Sequence, residues 1–310
     1  MYPATVVDAV REHARRAGPG VVLAGLVGSG IGPSLSPPLH EAEARRLGLR
    51  LAYARFDLDE WGLPASAAGD VVAAARAAGY AGLNVTHPCK QVVLAHLDEL
   101  SADAAALAAV NTVVFRDGAA AGHNTDWSGF ARGLETGLPG VPLDSVVLLG
   151  AGGAGAAVAH GLLTLGAGRV RVLDLDAARA GALAAALRDR FGAGRARAGG
   201  ALDEALAEAD GLVHATPVGM AAHPGLPVPA ALLGPRLWVA EVVYRPLETE
   251  LVRVARERGC RVLDGGRMAV FQAAEALALF TGAEPDAARM RRHFDRLADP
   301  GEREPADVLD

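Results

Sequence analysis

Short apolar runs alternate along this chain with longer segments in which apolar residues return every three or four positions, and the two patterns predict strands and helices in turn. Residues 4–17 read as an amphipathic helix, with Val6, Val7, Val10, Ala14 and Ala17 near one face. The run 21–27 (VVLAGLV) predicts a strand, and a helix over 38–47 follows, with Ser36 as a plausible N-cap and Pro37 at its first position. Residues 51–57 alternate as a second strand, an alanine-rich helix spans 67–78, and 80–86 forms a third strand. Helices over 91–97 and 101–109, the latter capped by Ser101, precede a strand at 110–115. Asp117-Gly118 is a turn signal, and a strand at 121–126 ends in polar residues. Strand and helix alternate throughout this half, which predicts an α/β domain.

A helix over 128–136 and the loop Gly137-Leu138-Pro139-Gly140 lead to a second domain. There, strands are predicted at 146–149, 169–174, 211–217, 237–244 and 261–266, with helices at 156–165, 177–189, 202–207 and 248–257. Residues 192–200 read as a glycine-rich loop, helices at 267–280 and 286–297 follow, and the charged tail after Pro300 is expected to be loose.

The densest chemical signal lies where the apolar strand 146–149 runs into Gly150-Ala151-Gly152-Gly153-Ala154-Gly155. Gly150, Gly152 and Gly155 fit G-x-G-x-x-G. The first glycine permits a tight turn, the second lets a pyrophosphate approach the backbone, and the third lets helix pack on strand. The helix start then offers unpaired N–H groups and a positive dipole end to the phosphates. Asp174 lies about 20 residues on, where such a fold places an acid on the adenine ribose. In the first half, Asn84, Thr86, Lys90, Asn111 and Asp126 gather at successive strand ends, where open α/β sheets bind ligands. Ser34 and Ser36 add two hydroxyls from the loop after the first strand.

Length and composition narrow the setting. A chain of 310 residues, 51% hydrophobic and 21% charged, points to two domains with large cores. A net charge of −6 and the lack of a basic run disfavour nucleic acid as a partner. Cys89 and Cys260 form no metal-type pair, and the nine histidines show no ligand spacing, so no metal is expected. The charged N-terminal residues do not resemble a signal peptide, and no apolar run is long enough for a membrane span, so a cytoplasmic location is expected.

With these motifs in place the chain resembles the shikimate/quinate dehydrogenase family over nearly its whole length. The resemblance rests on Ser34-Leu35-Ser36-Pro37, Asn84-Val85-Thr86-His87-Pro88-Cys89-Lys90, Val110-Asn111-Thr112, Asn124-Thr125-Asp126, the glycine turn, Ala215-Thr216-Pro217, Val243-Tyr244 and Met268-Ala269-Val270-Phe271-Gln272, in that order. It implies an N-terminal α/β substrate domain, residues 1–127, completed by C-terminal helices 267–298, and a Rossmann-type dinucleotide domain, 128–266. It implies hydride transfer between a nicotinamide and a ring carbon of shikimate or quinate, with Lys90 and Asp126 as the catalytic pair. Ser34, Ser36, Asn84, Thr86, Asn111, Tyr244 and Gln272 would hold the ring acid. Gly150, Ala151, Gly152, Gly153 and Ala154 would take the pyrophosphate, with Asp174, Arg179 and Thr216 also on the cofactor and Val242, Gly265 and Met268 near the nicotinamide. The chemistry asks for such a pair independently, since one group must take the hydroxyl proton as hydride leaves. An ordinary lysine would have to lose about 3 pH units of basicity to do so near neutrality, and a neighbouring carboxylate opposes that. Direct relay by Lys90 and joint titration of the pair therefore both stay open.

Two departures refine the expectation. NADP-dependent members resemble Asn-Arg-Thr where this chain has Asp174-Leu175-Asp176, followed by Arg179. A carboxylate at Asp174 accepts ribose hydroxyls and would repel a 2′-phosphate by about 4 kcal/mol at 4 Å and an effective dielectric of 20, so NAD is expected over NADP. The triplet also resembles an NAD-preferring actinobacterial branch that acts on quinate or shikimate, some of whose members carry threonine where Ser36 stands. The choice between the two acids is left open, as is a homodimer. Two rival readings are an enzyme for an amino-substituted ring acid and a non-catalytic cofactor-binding regulator.

Overall fold

The structure, a computed structural model, describes residues 5–298. The chain divides into two compact α/β units. One comprises the residues up to Thr125 together with those from Ala273 onward, and the other is Asp126–Gln272. The expected loose tail lies outside the described residues, and among those described no helix is long and apolar enough to cross a membrane.

The first unit runs α1 (Thr5–Ala17), β1 (Val22–Gly28), α2 (Ser36–Arg46), β2 (Leu51–Asp57), α3 (Ala68–Ala77), β3 (Gly82–Val85), β4 (Glu99–Leu100), α4 (Ala102–Leu107), β5 (Thr112–Arg116) and β6 (Ala119–His123). The sheet order is β2-β1-β3-β5-β6-β4. Strand β1 runs parallel to both β2 and β3, and β5 is antiparallel to β3 and β6. Alternation along β1 explains how both faces are buried. Leu23 and Val27 join a core with Val6, Val10, Val71 and Val72, while Ala24 and Leu26 pack with Tyr53, Ala276 and Phe280.

The second unit begins with α5 (Thr125–Gly137), whose first residue belongs to the first unit. It continues through β7 (Ser145–Leu149), α6 (Gly153–Thr164), β8 (Arg169–Leu173), α7 (Ala177–Phe191), β9 (Ala196–Ala198), α8 (Leu202–Ala207), β10 (Gly211–His214), β11 (Trp238–Glu241), α9 (Glu250–Glu257), β12 (Arg261–Leu263) and the start of α10 (Gly266–Thr281). Helix α11 (Ala287–Ala298) returns to the first unit. The sheet is parallel throughout, in the order β12-β11-β10-β7-β8-β9. Counted from β7, this is the 3-2-1-4-5-6 order of the dinucleotide-binding fold. Val146 and Leu148 point into one core, Val147 and Leu149 into the other.

Several elements differ from the sequence expectation. Strand β9 lies inside the segment read as a glycine-rich loop, because three residues flanked by glycines give no periodic signal. Residues 91–97 form a short 3-10 turn, Val92–His96, and not an α-helix. Ser36 is not the N-cap of α2. The cap position is Leu35, which makes no side-chain bond, and Ser36 is already helical with its N–H given to Ser34 Oγ at 3.2 Å. Helix α6 starts at Gly153, inside the glycine cluster, so its first N–H groups come from the turn itself. Ser101 does cap α4, accepting from Ala104 N at 3.2 Å.

Helix α2 also buries His40 completely, between the rings of Tyr53 and Phe280 at centroid distances of 4.8 and 6.4 Å. Nδ1 meets the Ser36 carbonyl at 2.8 Å, and Nε2 has no hydrogen-bond partner. Burial pushes this imidazole down to about 4 from 6.5, with the backbone carbonyls of Ser36 and Ala273 opposing. Its folded value lies below the unfolded one, so the unfolded chain binds the proton first as the pH falls. Stability is thus intact above pH 6.5 and lost towards pH 4, by about 3 kcal/mol for this group. His40→Phe is expected to lose less stability than the wild type when urea midpoints are compared at pH 7.5 and pH 4.5.

Candidate active site

In the first unit the ligand-bearing loops follow β1 and β3, adjacent parallel strands whose connections leave in opposite directions, with β2 on the far side of β1. Such a switch point opens a crevice at the carboxyl end of a sheet. The loop after β1 is tied down by Asp57, the last residue of β2 and paired in register with Gly28. Its buried carboxylate accepts the N–H groups of Gly30 at 2.9 Å, Ile31 at 2.7 Å, Gly32 at 3.1 Å and Asp59 at 3.1 Å. Four backbone donors that no strand satisfies end on one carboxylate, which fixes the backbone that carries Ser34 and Ser36.

The loop after β3 carries Thr86 and Lys90, both half-buried, and is bound to β1 through Thr86 N to Val27 O at 3.0 Å. Gly28 passes so close to Thr86 and to the His87 carbonyl that a Cβ there would strike both. The Lys90 carbonyl accepts Val110 N at 2.9 Å, which anchors the lysine backbone next to Asn111.

A buried chain of polar side chains joins these loops. Tyr53 Oη donates to Asn84 Oδ1 at 2.7 Å, and Asn84 Nδ2 donates to Thr112 Oγ1 at 3.1 Å and more weakly to the Asn111 carbonyl at 3.4 Å. Asn111 Oδ1 accepts Thr125 N at 2.7 Å, and its Nδ2 donates to Thr125 Oγ1 at 3.0 Å. Both amide hydrogens of Asn84 are thus committed within the protein, and only the oxygen shared with Tyr53 has capacity left. The chain ends at the start of α5, where Asp126 is buried in the first turn. Tyr53 is itself buried, which raises its phenol well above the usual range, so it acts as a neutral donor.

The second unit shows the glycine turn at its own switch point, between β7 and β10. Gly150 has φ +101°, and a Cβ there would lie 2.6 Å from the Ala215 carbonyl oxygen. A Cβ on Gly155 would collide with the Gly150 carbonyl, whereas Gly152 and Gly153 face open space. No side chain caps α6. This is the cradle a pyrophosphate needs: two glycines consumed by backbone contacts, two others open, and free helix-start donors. Ala151 N donates to Asp174 Oδ2 at 2.7 Å and Asp176 N to Oδ1 at 2.8 Å. Partial burial of Asp174 acts to raise its pKa, but these two bonds and the Arg179 guanidinium outweigh it and hold the carboxyl below its usual value. Arg179 is exposed and lies 3.9 Å from Asp176, the N-cap of α7.

Thr216 is half-buried beside the glycine turn, its methyl 3.1 Å from where a Gly150 Cβ would sit. Gly265 is buried against the carbonyls of Val242 and Val243, leaving no room for a side chain. Met268 is buried in the core of the second unit, with Val242 packed against that core. Tyr244 is exposed, and Gln272, the last residue of the second unit, donates to the Ala269 carbonyl at 2.9 Å. Among the described residues no cluster of His, Cys, Asp and Glu has a metal-binding arrangement. Nothing in the sequence pattern singles out Asp57, Tyr53, His214 or Glu241, and Thr112 and Thr125 stand in the matching motifs with no role of their own. The detectable signal was an acid ending a strand beside a glycine loop, seen at Asp174 but not at Asp57.

The family model of the shikimate dehydrogenase substrate binding domain matches residues 26–113. A shikimate dehydrogenase (NADP(+)) of Streptomyces avermitilis is 63% identical over 278 residues, 89% of this chain and 96% of that protein. The chain belongs to the shikimate/quinate dehydrogenase family. A quinate/shikimate dehydrogenase (NAD(+)) of Corynebacterium efficiens is 50% identical over 276 residues, 88% of this chain and 97% of that protein. The solved quinate dehydrogenase of Corynebacterium glutamicum in complex with NAD superposes with a TM-score of 0.83 at 47% identity, over 88% of this chain and 98% of that one. The chain is accordingly an oxidoreductase that uses a nicotinamide dinucleotide, with an α/β substrate domain and a Rossmann-type domain. The relatives' names divide between the two dinucleotides.

Three substitutions test the two loops. Gly152→Val is expected to fill the open cradle and raise the Kd for dinucleotide at least about tenfold with only a small fall in melting temperature from its place at the N-cap of α6, whereas a colliding Cβ in Gly155→Ala should destabilise the fold more. Asp57→Asn, which places an amide against backbone donors, should raise KM for the ring acid while leaving dinucleotide affinity, read by NADH fluorescence, within about twofold of wild type.

Proposed function

We propose that this enzyme catalyses reversible NAD-dependent oxidation of shikimate, quinate or both to the 3-dehydro ketone. The observation that carries the reading is the buried chain Tyr53–Asn84–Thr112–Asn111–Thr125, which fixes polar groups at three strand ends next to the anchored Lys90 backbone. A ring bearing several hydroxyls needs such an array, because each unpaired buried partner would cost about 1–3 kcal/mol.

Ser34, Ser36, Asn84, Thr86, Asn111, Tyr244 and Gln272 hold the hydroxyls and carboxylate of the ring acid. Nicotinamide, when bound, supplies the hydride acceptor. Lys90 and Asp126 form the catalytic pair, with Lys90 Nζ handling the proton of the reacting hydroxyl and Asp126 supplying the opposing charge. Gly150 to Ala154 hold the pyrophosphate, and Thr216, Val242, Gly265 and Met268 lie towards the nicotinamide end.

The preference for NAD rests on Asp174. Its carboxylate is ionised and braced by two backbone donors, and it can accept from ribose hydroxyls, while a 2′-phosphate would meet like charge. Arg179 sits across from Asp176, which offsets its positive charge. The expected compartment is the cytoplasm, and the expected assembly includes a homodimer among its alternatives.

Initial rates with shikimate or quinate, each with NAD or NADP, test the assignment as a whole, and no turnover in any of the four combinations would refute it. Lys90→Ala should lower kcat by about 100-fold or more with a much smaller change in KM. A mutant with near-wild-type kcat would remove Lys90 from the proton step. Asp174→Ser should narrow the NAD-over-NADP ratio of kcat/KM by about tenfold or more, and an unchanged ratio would place cofactor choice elsewhere.

A further inference from the structure

The most deeply buried ionisable pair of the second unit, His214 and Glu241, lies outside the residues assigned to substrate and cofactor. His214 ends β10 and Glu241 ends β11, and the two stand opposite each other in the strand register. Both side chains are wholly buried, with His214 Nδ1 2.9 Å from Glu241 Oε1. Oε1 also accepts the N–H groups of Val242 and Val243, each at 2.9 Å. Oε2 accepts the hydroxyl of Thr249, the N-cap of α9, at 3.0 Å. A carboxylate so surrounded by donors only accepts, so the hydrogen of the imidazole contact resides on Nδ1.

That fixes what the other ring nitrogen does. With the hydrogen on Nδ1, Nε2 is the acceptor: the Thr216 hydroxyl, 2.5 Å away, donates to it, while Thr216 Oγ1 accepts Val218 N at 3.3 Å. Thr216 is the half-buried residue beside Gly150. A pair needed only to close the interior would end at the imidazole, but this one continues outward to the loop next to the glycine turn. The connected groups therefore run from the α9 cap through Glu241 and His214 to Thr216, and tie the loops after β10 and β11 into one assembly.

We propose that His214, braced by Glu241, is a positioning residue for the dinucleotide: it holds the Thr216 hydroxyl in the orientation in which that hydroxyl meets the cofactor. The proposal rests on the reading of Thr216 as a cofactor contact, and the test separates the two. Second-sphere partners of this kind orient a contact group without touching the ligand.

The test is a double-mutant cycle on the Kd for NADH, read by fluorescence titration of the full chain, with Thr216→Val, Thr216→Ser and His214→Asn. Asparagine keeps a buried donor for Glu241 but is too short to reach Thr216. Thr216→Val is expected to raise the Kd about tenfold and Thr216→Ser to leave it near wild type. His214→Asn should raise it to a similar degree, and the double mutant should be no weaker than either single one. KM for the ring acid at saturating dinucleotide should stay within about twofold, which a general loosening of the fold would not respect. If Thr216→Val leaves the Kd unchanged, the cofactor role of Thr216 falls. If Thr216→Val weakens binding but His214→Asn does not, or the two effects multiply, the role of His214 alone is overturned. A second measurement needs no variant: the imidazole 15N resonances of His214 in the wild type should move on NADH addition, and their staying fixed would also overturn the proposal.

Discussion

The constraint on which both halves of this molecule depend is the set of backbone N–H groups left over where parallel strands stop. A strand that ends in a loop loses its ladder partner, and a buried donor without an acceptor is costly. The chain answers with an acid at the end of the neighbouring strand. Asp57 closes β2 and gathers the N–H groups of the loop after β1. Asp174, just past β8, takes Ala151 N from the loop after β7. Glu241 varies the arrangement: it closes β11 itself and accepts Val243 N together with Val242 N, which also keeps its ladder bond to the His214 carbonyl. Each acid fixes a loop that carries groups assigned to ligand.

The two units thus repeat one solution with different contents. In each, a first strand lies between a second strand and a later one, in the orders β2-β1-β3 and β8-β7-β10. In the first unit the loop after that strand presents Ser34 and Ser36, suited to a polyhydroxylated acid. In the second it presents glycines, suited to phosphates. The difference follows from how near the backbone must come. Hydroxyls are reached by side chains, whereas a pyrophosphate is met by N–H groups that only glycine leaves exposed. Gly155 shows the cost of that choice, since its position against the Gly150 carbonyl admits no larger residue.

Polar burial is concentrated at these edges. Asn84, Asn111, Thr112 and Thr125 are buried in the first unit, and His214, Glu241 and Thr249 in the second. Every one has hydrogen-bonded partners, as buried polar groups require. His40 is the contrast. It has one bonded nitrogen and one without a partner, among aromatic rings, so desolvation dominates and the group stays neutral.

The α/β class, the two-unit plan and the glycine turn are legible in the linear chain, because the periodicity of apolar residues and the positions of Gly, Asp and Lys are local properties. The chain also carried the family resemblance, since the matching words stand in order along the sequence. Which residues complete the site depends on pairing between segments far apart in the chain. Tyr53 lies 31 positions from Asn84 and looks like any strand tyrosine until the parallel pairing of β1 with its neighbours brings the two together. His214 and Glu241 are 27 positions apart and meet only through strand register. Strand β9 and the start of α6 were hidden for the opposite reason: their glycines remove the side-chain pattern, and pairing with β8 or the carbonyl ladder of the helix sets their structure instead. Hydrogen bonds between distant segments carry no period in the sequence, and that is why the bracing groups had to be seen in three dimensions.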